Sequence, residues 1–268
     1  MNSKKERTTL MVALVTGASS GCGRDMARAL ASRGVSLILT ARSVESMEEL
    51  KSELESKYNI SADILPFDLG VRENCYKLYE AVKNKDVDIV INNAGFGVFG
   101  AFDETDLEKE LGLIDLNITA VHILTKLFAS DFKKRNSGYI LNVASIAAYG
   151  IGPLFSSYYA SKSYVHKLTL SIAEELRRTA PNVYMGVLCP GPAATNFDKV
   201  ANVAFSIGMQ TSEFVANYAI KKMFEKKKII IPGFGIKCMR IMSKFAPEGI
   251  TARVCYKMQH KKLGKKRS

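Results

Sequence analysis

The chain contains 268 residues, of which 47% are hydrophobic and 24% are charged. These fractions are close to globular averages and argue against a disordered, fibrous or disulfide-stapled protein. The formal net charge is +12, but from Lys237 to the C-terminus ten Lys or Arg residues accompany one acid, Glu248. About nine of the twelve positive charges therefore belong to the tail, which argues against a uniformly basic surface.

Strands and helices are predicted to alternate along most of the chain. The strand candidates are Leu10–Thr16, Val35–Thr40, Ala62–Pro66, Asp88–Ile91, Tyr139–Val143, Val183–Leu188 and Ile229–Ile231. The helix candidates are Gly23–Arg33, Val44–Lys57, Glu73–Asn84, Asp106–Arg135, Ser157–Thr179 and Ser212–Lys226. This alternation implies right-handed βαβ crossovers and a parallel sheet covered on both faces. We predict an α/β fold: one doubly wound Rossmann-type domain over residues 8–233 with about seven strands, followed by a basic helical C-terminal extension, 234–268.

The N-terminal segment places basic residues before an apolar run, as a signal peptide does. The run is short and passes directly into a glycine-rich turn, so we do not expect a signal peptide. We also expect no stretch to approach the roughly 20 apolar residues of a membrane span. A cytoplasmic protein is the simplest interpretation.

A glycine-rich loop follows the first predicted strand, at Thr16–Arg24. Glycines let a backbone approach a pyrophosphate, whose charge is then stabilised by the amides and dipole of the following helix. The spacing is G-x-x-x-G-x-G rather than G-x-G-x-x-G. A plain strand-to-helix turn is the alternative interpretation. The cofactor-binding candidates here are Gly17, Ser19, Ser20, Gly21, Cys22 and Gly23.

The second predicted strand is followed by Ala41 and Arg42, where NAD-binding folds often place a carboxylate for the ribose hydroxyl. A guanidinium binds a 2′-phosphate through charge-assisted hydrogen bonds, whereas a carboxylate would repel it. Arg42 therefore favours NADP(H) over NAD(H). The alternative is that Arg42 is a solvated loop charge.

Two further strands end in residues suited to hold a dinucleotide. Asp68 and Leu69 follow the third strand and are placed to contact an adenine edge. Asn93, Ala94 and Gly95 follow the fourth, where small residues allow a ring or ribose to lie against the backbone. The carboxyl ends of parallel strands meet at one edge of a doubly wound sheet, so we expect these residues to share one site.

The strongest local signal is the pair Tyr158 and Lys162, which lie four residues apart in a predicted helix and so share one face. A neighbouring ammonium is expected to lower a tyrosine pKa, which would make Tyr158 an acid/base near neutral pH. Ser145 precedes Tyr158 by thirteen residues and follows a strand, where its hydroxyl can bind a substrate oxygen. Alone, the pair also fits an ordinary amphipathic helix.

Together, these motifs resemble the classical short-chain dehydrogenase/reductase family over residues 10–231. The matching positions are TGASSGCG, Asp68, NNAG, Asn117, Ser145, Tyr158 with Lys162, and Pro190-Gly191-Pro192 with Thr195. The resemblance implies that Tyr158 exchanges a proton with the substrate oxygen, and that Ser145 positions that oxygen. It further implies that Lys162 holds the nicotinamide ribose and lowers the Tyr158 pKa, and that Asn117 supports a proton-relay water. Pro190, Gly191 and Thr195 would lie beside the nicotinamide.

The resemblance also predicts a substrate lid over residues 193–211. Its apolar residues are Phe197, Val200, Val203, Ala204, Phe205, Ile207 and Met209. The apolar segment Gly150–Phe155 would add to the same wall. We expect a hydrophobic carbonyl substrate of steroid, lipid or aromatic type. Ordinary packing is the alternative reason for these residues.

The C-terminal extension carries apolar residues at helical spacing among basic ones. Such helices can lie on an anionic membrane surface, or pack on their own domain or on a second subunit. Nucleic acid is a less favoured partner, because the tail shows no interleaved aromatic platform on which bases could stack. The family resemblance implies a homodimer or homotetramer.

The sequence thus predicts an NADP(H)-dependent oxidoreductase that moves a hydride between nicotinamide and a carbonyl or secondary alcohol. A 3-oxoacyl-thioester reductase is the alternative within the enzyme class, and a non-catalytic NADP(H)-binding regulator is the alternative outside it. We expect no metal site, since the five cysteines and three histidines form no ligand pattern.

Overall fold

The structure, a computed structural model, describes residues 11–194, 210–243 and 245–264. Its strands are β1 (Val12–Thr16), β2 (Ser36–Thr40), β3 (Ala62–Ile64), β4 (Val87–Asn92), β5 (Gly138–Val143), β6 (Val183–Leu188), β7 (Ala193–Ala194), β8 (Gln210–Thr211) and β9 (Ile229–Ile230). Seven of them form a parallel central sheet in the order β3-β2-β1-β4-β5-β6-β9. The strand order reverses between β1 and β4, so a crevice opens there at the carboxyl ends of the strands.

Helices cover both faces of this sheet. They are α1 (Gly21–Ala31), α2 (Val44–Tyr58), α3 (Arg72–Val82), α4 (Leu107–Ile114), α5 (Val121–Arg135), α6 (Ser156–Thr179), α7 (Ser212–Phe224), α8 (Phe234–Ser243) and α9 (Glu248–Gly264). One buried cluster joins the sheet to α1, α2 and α7, and a second joins its other face to α3, α5 and α6. The predicted doubly wound fold with a helical C-terminal extension is confirmed.

The predicted helix over residues 106–135 contains an irregularity. Between α4 and α5 the backbone forms a π-helical turn at Asp115–Ala120. Such turns are rare and often occur at functional sites. This one carries Asn117, whose side chain is fully buried.

The same stretch, Leu107–Arg135, is long and apolar enough to cross a membrane by length and composition, since an 18-residue window within it has a mean hydropathy of 1.4. The expectation that no segment approaches a membrane span is therefore wrong on that criterion. Length and hydropathy by themselves are weak evidence for a membrane span, because the core helix of a soluble protein passes the same test. Leu124 and Phe128 of α5 are buried against the sheet, as in such a core helix.

A second, two-stranded sheet pairs β7 with β8. It was not predicted, because two-residue strands leave no periodicity to detect. It joins the ends of the predicted lid, whose apolar residues from Phe197 to Met209 lie outside the described residues.

Candidate active site

The glycine-rich loop is shaped by close backbone contacts. Gly17 has φ of +66°, and a Cβ on Gly23 would lie 2.3 Å from the Gly17 carbonyl oxygen. Any residue with a Cβ at position 23 would have to displace the backbone of Gly17, so position 23 requires glycine. Ser20 precedes α1 without a side-chain capping bond, so its side chain leaves the first amides of the helix open to an anion.

Side-chain hydrogen bonds join the ends of β1 and β4. The Thr16 hydroxyl accepts from the Asn93 amide at 2.9 Å and the Ala94 amide at 3.0 Å. In return, Asn93 Nδ2 donates to the Thr16 carbonyl at 2.9 Å. These bonds fix the Asn93–Gly95 segment against the glycine loop, so the sequence motif following β4 serves to shape the loop following β1.

Ser145, Tyr158 and Lys162 meet beyond the end of β5. Backbone bonds hold the Ser145 segment to the neighbouring strand, with Ala144 donating to Leu188 at 2.8 Å. Ser145 donates a hydrogen bond to the Tyr158 phenol. Lys162 Nζ donates to the Val143 carbonyl at 3.0 Å and lies 5.8 Å from the centre of the Tyr158 ring.

Burial dominates the electrostatics of this group. It raises the pKa of Tyr158 to about 12, and the hydrogen bond from Ser145 opposes that rise. Burial also lowers the pKa of Lys162 to about 8. The predicted depression of the Tyr158 pKa is therefore wrong for the protein without cofactor, because the loss of solvent outweighs the hydrogen bond from Ser145. Tyr158 is protonated at neutral pH, as a proton donor must be.

Asn117 is a positioning residue behind this group. Its Nδ2 donates to the Phe96 carbonyl at 2.9 Å and to Ser161 Oγ at 3.1 Å, while its Oδ1 accepts from the Phe96 amide at 3.1 Å. A Cβ on Gly95 would lie 2.8 Å from Asn117 Oδ1. The π-helical turn thus holds the chain after β4 against α6.

A single cavity of about 430 Å³ connects the glycine loop to the Tyr158 group. Of the predicted site residues, it is lined by Gly17, Ser19, Ser20, Gly21, Cys22, Arg42, Asp68, Leu69, Asn93, Ala94, Gly95, Ser145, Tyr158, Lys162, Pro190 and Gly191. Gly23 and Asn117 stand behind this lining, and Thr195 lies outside the described residues. The elongated set of polar and glycine residues suits a dinucleotide, whose pyrophosphate would meet the start of α1.

Two predicted cofactor residues have local partners of their own. The Asp68 carboxylate accepts from the Gly70 amide at 3.0 Å, which holds the loop after β3 in place. Burial raises the pKa of the Cys22 thiol to about 11, with Asp25 adding to the rise. Cys22 is therefore a neutral wall of the cavity rather than a nucleophile.

The far end of the cavity contains Phe155, from the predicted apolar segment Gly150–Phe155, and two wall residues that the sequence interpretation missed, Tyr159 and Gln259. Phe155 stacks on Tyr158 with ring centres 4.5 Å apart, and Tyr159 continues this aromatic wall. Gln259 comes from α9, lines the cavity and is only 5% exposed. Its amide hydrogen-bonds Tyr159, and Cys255 one turn earlier lies 3.8 Å from the Tyr159 hydroxyl.

The C-terminal extension also contacts the cofactor side of the cavity. Ile236 of α8 packs so closely on Gly191 that a Cβ there would lie 2.6 Å from it. No sequence signal identified Gln259, because a lone glutamine in a basic stretch resembles a solvated residue. Its four-residue spacing from Cys255, beside a run of apolar residues, was the one available hint.

A doubly wound sheet with a glycine cradle and a half-buried tyrosine beside a buried lysine defines a nicotinamide-dependent oxidoreductase fold. A family model described as short chain dehydrogenase matches residues 11–204. The chain belongs to the short-chain dehydrogenase/reductase family, whose members are oxidoreductases that act on C–OH and C=O groups.

Individual relatives agree with this assignment. The chain is 34% identical over 200 residues to Dehydrogenase/reductase SDR family member 11 of Gallus gallus, covering 72% of this chain and 78% of the relative. It is 28% identical over 198 residues to the Very-long-chain 3-oxoacyl-CoA reductase of Anas platyrhynchos, covering 72% and 63%. A short-chain dehydrogenase from Sphingobium yanoikuyae, solved in complex with NADPH, superposes with a TM-score of 0.82 at 25% identity, covering 90% of this chain and 95% of that one.

Proposed function

We propose that this protein is an NADP(H)-dependent oxidoreductase that transfers a hydride between nicotinamide and a hydrophobic ketone or secondary alcohol. The observation that carries the proposal is the joining of two groups in one cavity. The hydrogen-bonded Ser145 and Tyr158, with Lys162 beside them, share that cavity with the glycine cradle of α1. A Tyr/Lys pair that served only to stabilise a surface helix would not be expected to line the same cavity as the glycine loop.

The nicotinamide, when bound, supplies or accepts the hydride. Tyr158 donates the proton to the carbonyl oxygen in reduction and takes it from the alcohol in oxidation. Ser145 already donates to the Tyr158 oxygen, so a substrate oxygen approaching both hydroxyls can bind to either. Lys162, anchored on the Val143 carbonyl, keeps its ammonium beside the phenol and favours the phenolate formed by proton transfer.

The choice of NADP(H) rests on Arg42. This exposed residue lines the cavity two residues beyond the end of β2, and Ala41 before it provides no carboxylate. A guanidinium at this position can bind a 2′-phosphate through charge-assisted hydrogen bonds, whereas it binds the uncharged ribose hydroxyl of NAD(H) more weakly. Solved structures of this fold include one in complex with NADPH and another in complex with NAD, so the choice of cofactor depends on Arg42 alone.

The hydrophobic substrate rests on the far wall of the cavity. Phe96, Ile146, Phe155 and Tyr159 line it, and Phe155 packs edge-to-face on Phe99 at 5.7 Å between ring centres. Apolar walls with few polar groups bind through burial of apolar area and orient through those few groups. We infer a steroid-, lipid- or aromatic-like carbonyl compound.

A 3-oxoacyl thioester is the second candidate substrate. It is favoured by the relative named as a very-long-chain 3-oxoacyl-CoA reductase, of which the alignment covers 63%. An acyl thioester shares the reacting ketone and the apolar chain, so the same Tyr158 group would serve it. The two candidates differ in the polar carrier that follows the thioester.

The test is the fall in NADPH absorbance with purified protein, ketone by ketone. The panel contains steroid, aromatic and aliphatic ketones beside 3-oxoacyl thioesters, and each is repeated with NADH. Turnover that needs NADPH and an apolar ketone supports the proposal, and turnover confined to thioesters favours the second candidate. Tight NADPH binding without turnover of any ketone would instead support the non-catalytic regulator.

We further propose a homodimer or homotetramer in the cytoplasm, peripheral to the membrane. An exposed apolar stripe on α4 supports self-association: Leu107, Leu111 and Ile114 are 67%, 43% and 39% exposed on neighbouring turns. Light scattering after size exclusion would measure the mass. Conversion of the wild-type oligomer to monomers by Leu111→Glu would assign the stripe to the interface, while a monomeric wild type would contradict the proposal.

A further inference from the structure

The C-terminal helices α8 and α9 each bury one face and turn an apolar face to solvent. We call this second surface the C-terminal apolar face. Its large side chains are 53–82% exposed: Phe234, Met242, Phe245, Ile250, Val254 and Met258. Exposed apolar residues are ordinary when scattered singly, but six within 25 residues of sequence are an unusual concentration, so we ask what covers them.

The helical geometry of α9 separates its two faces. Cys255 and Gln259 are four residues apart and point to Tyr159 and the cavity. Ile250 and Val254 are also four apart, and with Met258 they lie on another, exposed side of the helix. The apolar residues on that side are therefore not the ones that attach α9 to its own domain.

The same division holds for α8. Ile236 packs against Gly191, and the Arg240 guanidinium lies 5.1 Å from the Tyr149 ring centre on the inner side. Phe234 and Met242 remain 81% and 71% exposed on the outer side. Both helices are thus already anchored, and their outer apolar residues remain to be covered by something else.

Charge identifies the occupant. Exposed Arg253, Lys257 and Lys261 accompany the stripe on α9, and Glu248 is the one acid from Lys237 to the C-terminus. A second copy of this face would bring the same positive charge against it. Nucleic acid would use the charge but leave the exposed methionine and valine side chains without a partner. An anionic bilayer uses both, because apolar side chains enter the headgroup boundary while Lys and Arg bind the lipid phosphates and carboxylates.

We propose that the C-terminal apolar face is a docking surface for anionic phospholipid bilayers. The enzyme then lies on the membrane surface through α8 and α9. Since another face of α9 is a wall of the cavity, docking places the cavity close to the lipid phase. Docking itself does not require that the proposed reaction takes place.

The experiment is vesicle flotation of the full-length protein. One set of vesicles is phosphatidylcholine alone, and the other is an equal mixture of phosphatidylcholine and phosphatidylserine. We expect the protein to float with the mixed vesicles and to stay behind with the neutral ones. High salt should weaken binding, because screening reduces the electrostatic part.

Two double variants test the electrostatic and the apolar contributions to vesicle binding separately. Arg253→Glu with Lys257→Glu removes two positive charges, each contributing about fivefold to partition on an anionic surface, and reverses their sign. Met242→Ser with Phe245→Ser removes apolar contact and should weaken partition by about tenfold or more. Matched controls are Lys77→Glu, an exposed lysine of α3, and Phe102→Ser, whose side chain is 72% exposed in the loop between β4 and α4. Neither control should change flotation.

Each other outcome overturns the proposal. Equal flotation with both vesicle types, or none with either, removes the anionic bilayer as the occupant. If the wild type does not bind vesicles and the Met242/Phe245 variant dissociates from an oligomer to monomers, the C-terminal apolar face is instead an interface with a second copy of this chain. Because flotation needs no turnover, its failure leaves the proposed reaction untouched, and thermal unfolding of each variant shows whether the fold is retained.

Discussion

The two ends of the cavity are built in different ways. At the cofactor end, the groups follow directly from β1, β4 and β5 and are bound to one another by short hydrogen bonds, such as Asn93 to Thr16 at 2.9 Å. At the far end, the wall is an aromatic cluster closed by Gln259 of a helix a hundred residues downstream of Tyr159. The first end is encoded locally and tied together by hydrogen bonds between strand ends, while the second depends on how a separate segment docks.

This difference separates reaction from substrate. The parts that hold a dinucleotide and move a proton come from short motifs whose geometry follows from the strands that they terminate. The parts that select a carbonyl compound are assembled from side chains distant in sequence. Substitutions at the first end should therefore change turnover and cofactor choice, whereas those at the second should change KM for particular substrates.

The largest expected effect is that of Tyr158→Phe. Loss of the proton donor should lower kcat by about 10²–10⁴-fold, the usual contribution of general acid catalysis. NADPH binding, measured by fluorescence titration, should change little. Tyr159→Phe is the matched control, since Tyr159 contacts Cys255 and Gln259 instead of Ser145. Equal losses in both variants would contradict the assignment of Tyr158.

The second expected effect is on the pH dependence of the free energy of unfolding of the cofactor-free protein. Burial lowers the Lys162 pKa from 10.5 to about 8, so between these values the unfolded chain holds a proton that the folded chain has lost. The contribution of Lys162 to stability therefore rises with pH across this window and is constant below it. At about 1.4 kcal/mol per pKa unit, wild type should gain about 2–3 kcal/mol relative to Lys162→Met between pH 8 and pH 10. Parallel denaturation curves for the two proteins would argue against a buried, easily deprotonated lysine.

A comparable change in cofactor choice is expected from Arg42→Ala. Charge-assisted hydrogen bonds contribute about 1.5–3 kcal/mol, so KM for NADPH should rise about 10- to 100-fold. KM for NADH should stay the same, because it has no 2′-phosphate. Initial rates with both cofactors provide the measurement, and an equal rise for both would show that Arg42 does not bind the phosphate.

Gly23→Ala should destabilise the glycine loop at the cofactor end. The new methyl would lie 2.3 Å from the Gly17 oxygen and 2.4 Å from Asn93 Nδ2, and overpacking of this kind costs about 1–3 kcal/mol of unfolding free energy. NADPH affinity should fall with it. Gly235→Ala in α8 is the matched control: nothing lies within 4 Å of its Cβ, and alanine favours a helix by up to about 1 kcal/mol. Urea denaturation of both variants separates a steric effect from a general glycine effect.

The smallest effect is expected at the far end, from Gln259→Leu. Its Oε1 is buried without a hydrogen-bond partner among the described residues, so it is free to accept from a hydroxyl or amide on the substrate. For ketones that carry a hydroxyl or amide donor, KM should rise about fivefold, which corresponds to the free energy of one hydrogen bond. The kcat for these ketones should stay unchanged.

Ketones without a donor should show no rise in KM for the Gln259 variant. Tyr256→Phe, a change at an exposed residue of the same helix, is the matched control for effects on α9 itself. It should leave KM unchanged for every ketone. A fall in kcat with unchanged KM in Gln259→Leu would place this glutamine elsewhere in the reaction.

The sequence by itself determined the order of strands and helices, the glycine cradle and the Tyr158–Lys162 pair. Each of these depends on residues within a few positions of one another, so the spacing alone reports the geometry. The sequence also placed the basic apolar extension, though it left open which way its apolar residues point.

Tertiary structure decided the rest. Desolvation set the Tyr158 pKa above its ordinary value, because burial depends on neighbours from several elements and outweighs the one hydrogen bond from Ser145. Contact between residues far apart in the chain brought Gln259 to Tyr159 and pressed Ile236 against Gly191. The outward direction of Val254 and Met258 followed from the same docking of α9. Such long-range contacts leave no periodic trace in the chain, so the substrate wall and the proposed membrane face emerge only once the helices are packed.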